Sequence, residues 1–243
     1  MRVDNLPFYH YKLGMPNICQ RNPRREYLQK QGKVFCAPTS VANALIWQAK
    51  NYCPFLVKPQ GKDSEQTTRL RLVEKLAKLM DTVSNKGTYI NDLISGLRKY
   101  VRDRGYKVTT KWKGLDHRDE YHCTRLTDPK WLMESLMHDS NLILDIDITR
   151  AKSPFSKESE AHCVTAVGFF EPNNQLYIHD PGSLIRRKPS LYEIDPVKHW
   201  KRIKSLRKER GRKNDFFELW EYDPWRWGFV GILQSAIAFR VFR

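Results

Sequence analysis

A cysteine opens the run Cys36-Ala37-Pro38-Thr39-Ser40-Val41-Ala42-Asn43-Ala44. Pro38 suits the first turn of a helix, where its missing N–H costs nothing. A thiol at a helix N-terminus faces unpaired backbone N–H groups and the positive end of the helix dipole. Both favour the thiolate and lower a pKa that is about 8.5 in a free thiol. The cysteine's own N–H is also placed to donate to an oxyanion. A thiolate nucleophile needs a base within hydrogen-bond reach, and the base needs a group to orient it. His162 begins the strand-like run His162–Phe170, and Asp180 ends the run Leu176–Asp180 that follows the turn residues Glu171–Gln175. In an antiparallel hairpin the start of one strand lies beside the end of the next, so this order brings imidazole and carboxylate together. Nucleophile, base and orienting carboxylate together point to acyl transfer through a thioester.

Other polar clusters carry less. His117, His122 and Cys123 match no zinc-ligand spacing, and neither metal nor organic cofactor is expected. Alternation along a strand turns His179 away from Asp180 and Cys163 away from His162, and Cys163 reads as core. Asp145 and Asp147 share one face of the run Leu142–Ile148. They read as carboxylates bordering a cleft or as a solvent-facing pair, ahead of an acid–base dyad. Five cysteines and no C-x-x-C pair fit either two disulfides with one free thiol or five free thiols.

The elements that must hold these residues follow from periodicity. A helix starts at Cys36, with Val41, Ala44, Leu45 and Gln48 at helical spacing. A second covers about residues 64–82, with Ser64 at its N-cap, and a third runs from Ile90 to Tyr100. Residues 106–112 alternate as a strand, 128–140 form a short helix, and 142–148 read as a buried strand. After the hairpin, residues 228–233 and 236–242 give two more strands. Helices dominate the first half and strands the second, an α+β order. The expectation is a single domain over 1–243, with residues 1–33 a loop-rich N-terminal extension or cleft-proximal segment and residues 198–213 a basic insertion.

The formal net charge is +16, which favours contact with something acidic. Much of it lies in residues 198–213, where nine Lys or Arg stand against one Glu. Trp200, Ile203 and Leu206 recur every third residue, which fits a weakly amphipathic basic helix. A solvated excursion between strands is the plainer reading. A third is a docking patch for an anionic partner through Lys198, Lys201, Arg202, Lys204, Arg207 and Lys208. No apolar run reaches the roughly 18 residues of a membrane span. Residues 1–14 lack the apolar core of a signal peptide, so a cytoplasmic location is expected, or a secreted one if a signal was trimmed.

The nucleophile run resembles the Cys-Gly-Pro-Thr-Ser helix of the bacteriocin-leader-peptidase-like (double-glycine peptidase-like) branch of papain-like cysteine peptidases. Ala161-His162-Cys163-Val164-Thr165-Ala166-Val167-Gly168-Phe169 and Tyr177-Ile178-His179-Asp180-Pro181 resemble that branch's histidine strand and Asp-Pro strand end. The resemblance implies a papain-like α+β fold and a cysteine peptidase acting on peptides or proteins, with Cys36 as nucleophile, His162 as base and Asp180 as orienter. Ala37 replaces the family glycine. The glutamine that the resemblance implies for the oxyanion falls at Lys30, flanked by Gln29 and Gln31, of which Gln31 is preferred. The same triad would also serve acyl transfer of the transglutaminase type, and the same fold would serve as a non-catalytic module binding a polyanion.

Overall fold

The computed structural model describes residues 9–20, 32–59, 61–83, 86–114, 126, 130–137, 139–150, 160–170, 175–182, 199–209, 212–220 and 229–243. The chain divides into two compact units, each assembled from separated stretches. The sheet unit comprises Met1–Lys12, Lys111–Ile178 and Ile194–Ala238. The helical unit comprises Leu13–Thr110, His179–Glu193 and Phe239–Arg243.

The helical unit is built on α1 (Cys36–Asn51), α2 (Glu65–Leu79) and α3 (Ile90–Arg102). Ala37–Leu45, Trp47 and Gln48 of α1 are all buried, so the helix is enclosed on every side although Thr39, Ser40, Asn43 and Gln48 are polar. Two of its polar side chains hold a neighbouring segment: Asn43 Oδ1 accepts the Ile18 N–H at 3.1 Å, and Trp47 Nε1 donates to the Leu13 carbonyl at 3.2 Å. These bonds fasten the segment Leu13–Gln20 to α1. Ser64 caps α2 as expected, accepting the Thr67 N–H at 3.2 Å. Gly96 of α3 is needed for close packing, because a Cβ there would sit 2.6 Å from Met80 Cγ and 2.8 Å from the Leu79 carbonyl oxygen. Tyr100, wholly buried, donates its hydroxyl to the Leu56 carbonyl at 3.0 Å.

In the sheet unit, α4 (Lys130–Leu136) packs on a sheet whose central strands are β3 (Ser140–Arg150) and β4 (Glu160–Phe170). With β1 (Tyr9–Tyr11), β6 (His199–Glu209), β7 (Arg212–Trp220) and β8 (Phe229–Phe242), the strand order is β1-β4-β3-β8-β7-β6. β2 (Lys107–Gly114) pairs with β8, and β5 (Gln175–His179) with β4. β3 and β4 are antiparallel, with Ile146 opposite His162 and Asp145 opposite Cys163. Period-2 alternation then divides the faces. Leu142, Leu144, Ile146, Ile148, Val164 and Ala166 pack together with Leu132, Met133 and Leu136 of α4.

The architecture is α+β, helices first and an antiparallel sheet after, as the order of periodicities implied. Three local expectations are corrected. Residues 229–242 form one 14-residue strand, because Gln234 and Ser235, which looked like a break, hydrogen-bond within the sheet unit. The helical reading of 198–213 gives way to the antiparallel pair β6 and β7. The spacing of Trp200, Ile203 and Leu206 was too short a sample to separate period 3.6 from a strand with a bulge. The N-terminal segment is more than loop: Tyr9, His10 and Tyr11 pair with Phe170, Phe169 and Gly168 of β4.

Candidate active site

Cys36 is the first residue of α1 and is half-buried. The residue before it, Phe35, occupies the N-cap and supplies no side-chain hydrogen bond, and the first turn contains no acidic residue. The positive end of this helix is therefore not neutralised by its own sequence. A short 3-10 turn, Gly32–Val34, leads into it, with the Phe35 N–H bonded to the Gly32 carbonyl at 3.2 Å.

Asp180 lies in the same unit, directly after β5, and is 1% exposed. Its Oδ1 accepts the Gly182 N–H at 2.7 Å, a local turn that fixes the carboxylate. The neighbouring His179 is also buried, with Nδ1 3.1 Å from the Pro16 carbonyl oxygen, so its imidazole anchors the Leu13–Gln20 segment.

A glutamine not anticipated from the sequence sits between these parts. Gln20 is buried, its backbone N–H donates to the Pro181 carbonyl at 3.0 Å, and its Nε2 donates to the Lys33 carbonyl at 3.0 Å. One residue thus ties the Asp180-Pro181 turn, through its backbone, to the turn that leads into Cys36, through its side chain. An amide nitrogen has two N–H donors, so the bond to Lys33 leaves a second. The buried Oε1 has no hydrogen-bond partner. Gln20 escaped notice because it is 16 residues before Cys36, and only the fold shortens that separation. Gln29 and Gln31 lie outside the described residues.

His162 belongs to the sheet unit, near the start of β4, and is 6% exposed. Its cross-strand neighbour is Ile146, and its face of the sheet is that of Leu144, Val164 and Ala166. Asp145 and Asp147 occupy the other face. The solvent-facing reading of this pair is corrected: they are 8% and 6% exposed. Gln234 Nε2 donates to Asp147 Oδ2 at 2.8 Å, and the Ser235 hydroxyl donates to Asp145 Oδ2 at 3.2 Å. Donors about 90 residues away in sequence made this burial possible, and nothing near the aspartates announced it.

Cys19, Cys36, Cys53 and Cys163 are not joined in disulfides, and Cys163 is buried as core. Cys53 is buried with its Sγ 3.8 Å from the Val241 carbonyl oxygen. His117, His122 and Cys123 lie outside the described residues. Among the described residues no group of three ligands could hold a metal ion, and no helix is long and apolar enough to cross a membrane.

Compared with known protein families, residues 12–206 match the model described as "Peptidase_C39 like family". A search of the curated proteins finds no match.

Proposed function

Because the chain belongs to the Peptidase_C39 like family, we propose that it is a cysteine peptidase acting through a Cys36–His162–Asp180 triad. The observation that carries this reading is Cys36 itself, a half-buried thiol at an uncapped helix N-terminus with no acid in the first turn. That environment favours the thiolate. The order of His162 on β4 and Asp180 after β5 supplies a base and an orienting carboxylate in the sequence relation that the family resemblance leads one to expect.

In the proposed reaction the Cys36 thiolate attacks a peptide carbonyl, forming the C–S bond and a tetrahedral oxyanion. The Cys36 N–H and a glutamine amide receive that charge. As the C–N bond breaks, imidazolium His162 gives its proton to the departing amine. Neutral His162 then takes a proton from water, whose oxygen attacks the thioester and releases the acid and the thiolate. Asp180 holds the imidazole tautomer and supports its charged form. Two glutamines compete for the oxyanion role. Gln31 has the better spacing to Cys36. The hydrogen bond of Gln20 to Lys33, three residues before the nucleophile, favours Gln20.

Membership of the leader-peptidase branch, peptide or protein as substrate, and hydrolysis rather than transfer to an amine are parts of the same proposal. The test is an intact-mass measurement after mixing the protein with a peptide-ester library. Wild type should gain one acyl mass on Cys36, and Cys36→Ala should gain none while keeping its melting temperature. His162→Ala should lose most of the signal. Acylation unaffected by Cys36→Ala would refute the assignment. Added amines that intercept the acyl group faster than water would favour acyl transfer over peptidase action.

A further inference from the structure

The triad leaves unused a small cleft within the helical unit, open to solvent and lined in part by Lys58, Asp63, Arg71, Lys75, Tyr100 and Arg104. Its walls come from three places in the sequence. Lys58 and Asp63 precede α2, Arg71 and Lys75 lie on α2, and Tyr100 and Arg104 stand near the end of α3 and just beyond it. The four-residue spacing of Arg71 and Lys75 puts both on one side of α2. Tyr100 is 1% exposed, and two cations gather on its ring. Lys75 Nζ lies 5.6 Å and Arg104 Cζ 5.4 Å from the ring centre.

Four cations line this cleft against one carboxylate, a formal excess of +3. The carboxylate is already engaged: Asp63 Oδ2 accepts from Arg71 Nη1 at 2.5 Å. Among the described residues, Lys58, Lys75 and Arg104 make no ion pair. Asp103, next to Arg104 in sequence, pairs instead with Lys99 at 3.8 Å. Attraction to an aromatic face steadies the two cations at Tyr100 and does nothing to relieve the repulsion between them. Charges of one sign gathered in a cleft raise the local concentration of the opposite ion.

We infer that this cleft binds a phosphate group. Charge and donor type make the choice. A carboxylate brings one negative charge, whereas a phosphate monoester brings up to about two, with three acceptor oxygens. Guanidinium groups match phosphate oxygens in pairs of hydrogen bonds, and ammonium groups act on them as point charges. The cleft offers both kinds. The inference stands apart from the triad. The plainer role of Lys75 and Arg104 is to cover Tyr100 with their stems. That role is blind to the charge at their tips, so substitutions that keep a stem separate the two.

The test uses the full chain and inorganic phosphate, titrated calorimetrically at neutral pH and constant ionic strength, with acetate as the control anion. One site with a Kd on the order of 1 mM is expected. Lys75→Gln and Arg104→Gln should each weaken it about tenfold at unchanged melting temperature. Asp63→Asn, which removes the one carboxylate of the cleft, should tighten it. Lys78→Gln alters a cation of α2 outside the cleft and should bind as wild type. So should Cys36→Ala, which means that failure of the peptidase reading would leave this one standing. Acetate bound as tightly as phosphate would overturn the inference, as would equal losses in Lys75→Gln and Lys78→Gln. Affinity unchanged in both cleft variants would also overturn it and leave Lys75 and Arg104 as a cover for Tyr100. Cosedimentation with phosphatidylcholine vesicles, with and without phosphatidic acid, distinguishes the sources. Capture only by the phosphatidic acid vesicles, lost in Arg104→Gln, would mark a lipid headgroup. Saturable phosphate binding without capture would mark a soluble phosphate, and neither binding nor capture would overturn the inference.

Discussion

Replacing Lys12 by Met should stabilise the protein at neutral pH, and the size of the effect follows from the site. Lys12 comes directly after β1, its N–H bonded to the Val167 carbonyl at 2.7 Å, and its side chain is 1% exposed. Burial strips water from the ammonium and lowers its pKa from 10.5 to about 8, while the attraction of Asp139 opposes the shift only in part. With the folded pKa below the unfolded one, the unfolded chain binds more protons between about pH 8 and 10.5. Stability contributed by this residue therefore rises with pH across that window, and the full burial cost is present below it. A shift of that size corresponds to about 3 kcal/mol. Methionine fills similar space without a charge. Urea unfolding followed by tryptophan fluorescence, at pH values from 7 to 10.5, should show the variant ahead by up to about 3 kcal/mol at pH 7. The gap should close toward pH 10.5. The other lysines titrate alike in both proteins, so the difference isolates Lys12. A variant less stable at pH 7, or a gap that ignores pH, would refute the reasoning and make Asp139 the dominant influence.

Gly96→Ala should cost about 1–3 kcal/mol, read as a lower urea midpoint with unchanged slope, because the new methyl meets Met80 and the Leu79 carbonyl. Gln234→Ala takes a donor from buried Asp147 and should cost about 2 kcal/mol, whereas a solvent-facing aspartate would show almost no change on urea unfolding. Gln20→Ala should lower kcat about 100-fold or more if its amide receives the oxyanion. A fall in melting temperature with kcat intact would leave Gln20 as a pin between Pro181 and Lys33, and Gln31→Ala would then carry the kinetic loss.

The helical part of the fold was plain in the sequence because its signals are local. Pro38 after Cys36, the cap at Ser64 and the apolar spacing through α2 and α3 are all read within a few residues. β3, β4 and β5 were legible for the same reason, as alternating runs separated by a turn. What stayed hidden depends on distant partners. Asp145 and Asp147 look like surface residues until Gln234 and Ser235 arrive from β8. Those two polar residues in turn made one long strand look like two. Gln20 sits in a segment that reads as loop, and its position matters only because the fold brings Lys33 and Pro181 within hydrogen-bond reach of it. The proposed nucleophile and its proposed partners stand in the sequence as residue types in order, since a cysteine at a helix start and a histidine at a strand start have chemical meaning before any tertiary contact is known.

The most direct test of the proposed triad is the pH dependence of iodoacetamide alkylation at Cys36, followed by mass spectrometry in wild type and His162→Ala. A thiolate held by imidazolium should be labelled rapidly in wild type at about pH 5 to 6, and that labelling should be lost in the variant. Labelling that appears only above about pH 8 and is the same in both proteins would show an ordinary thiol and contradict the account.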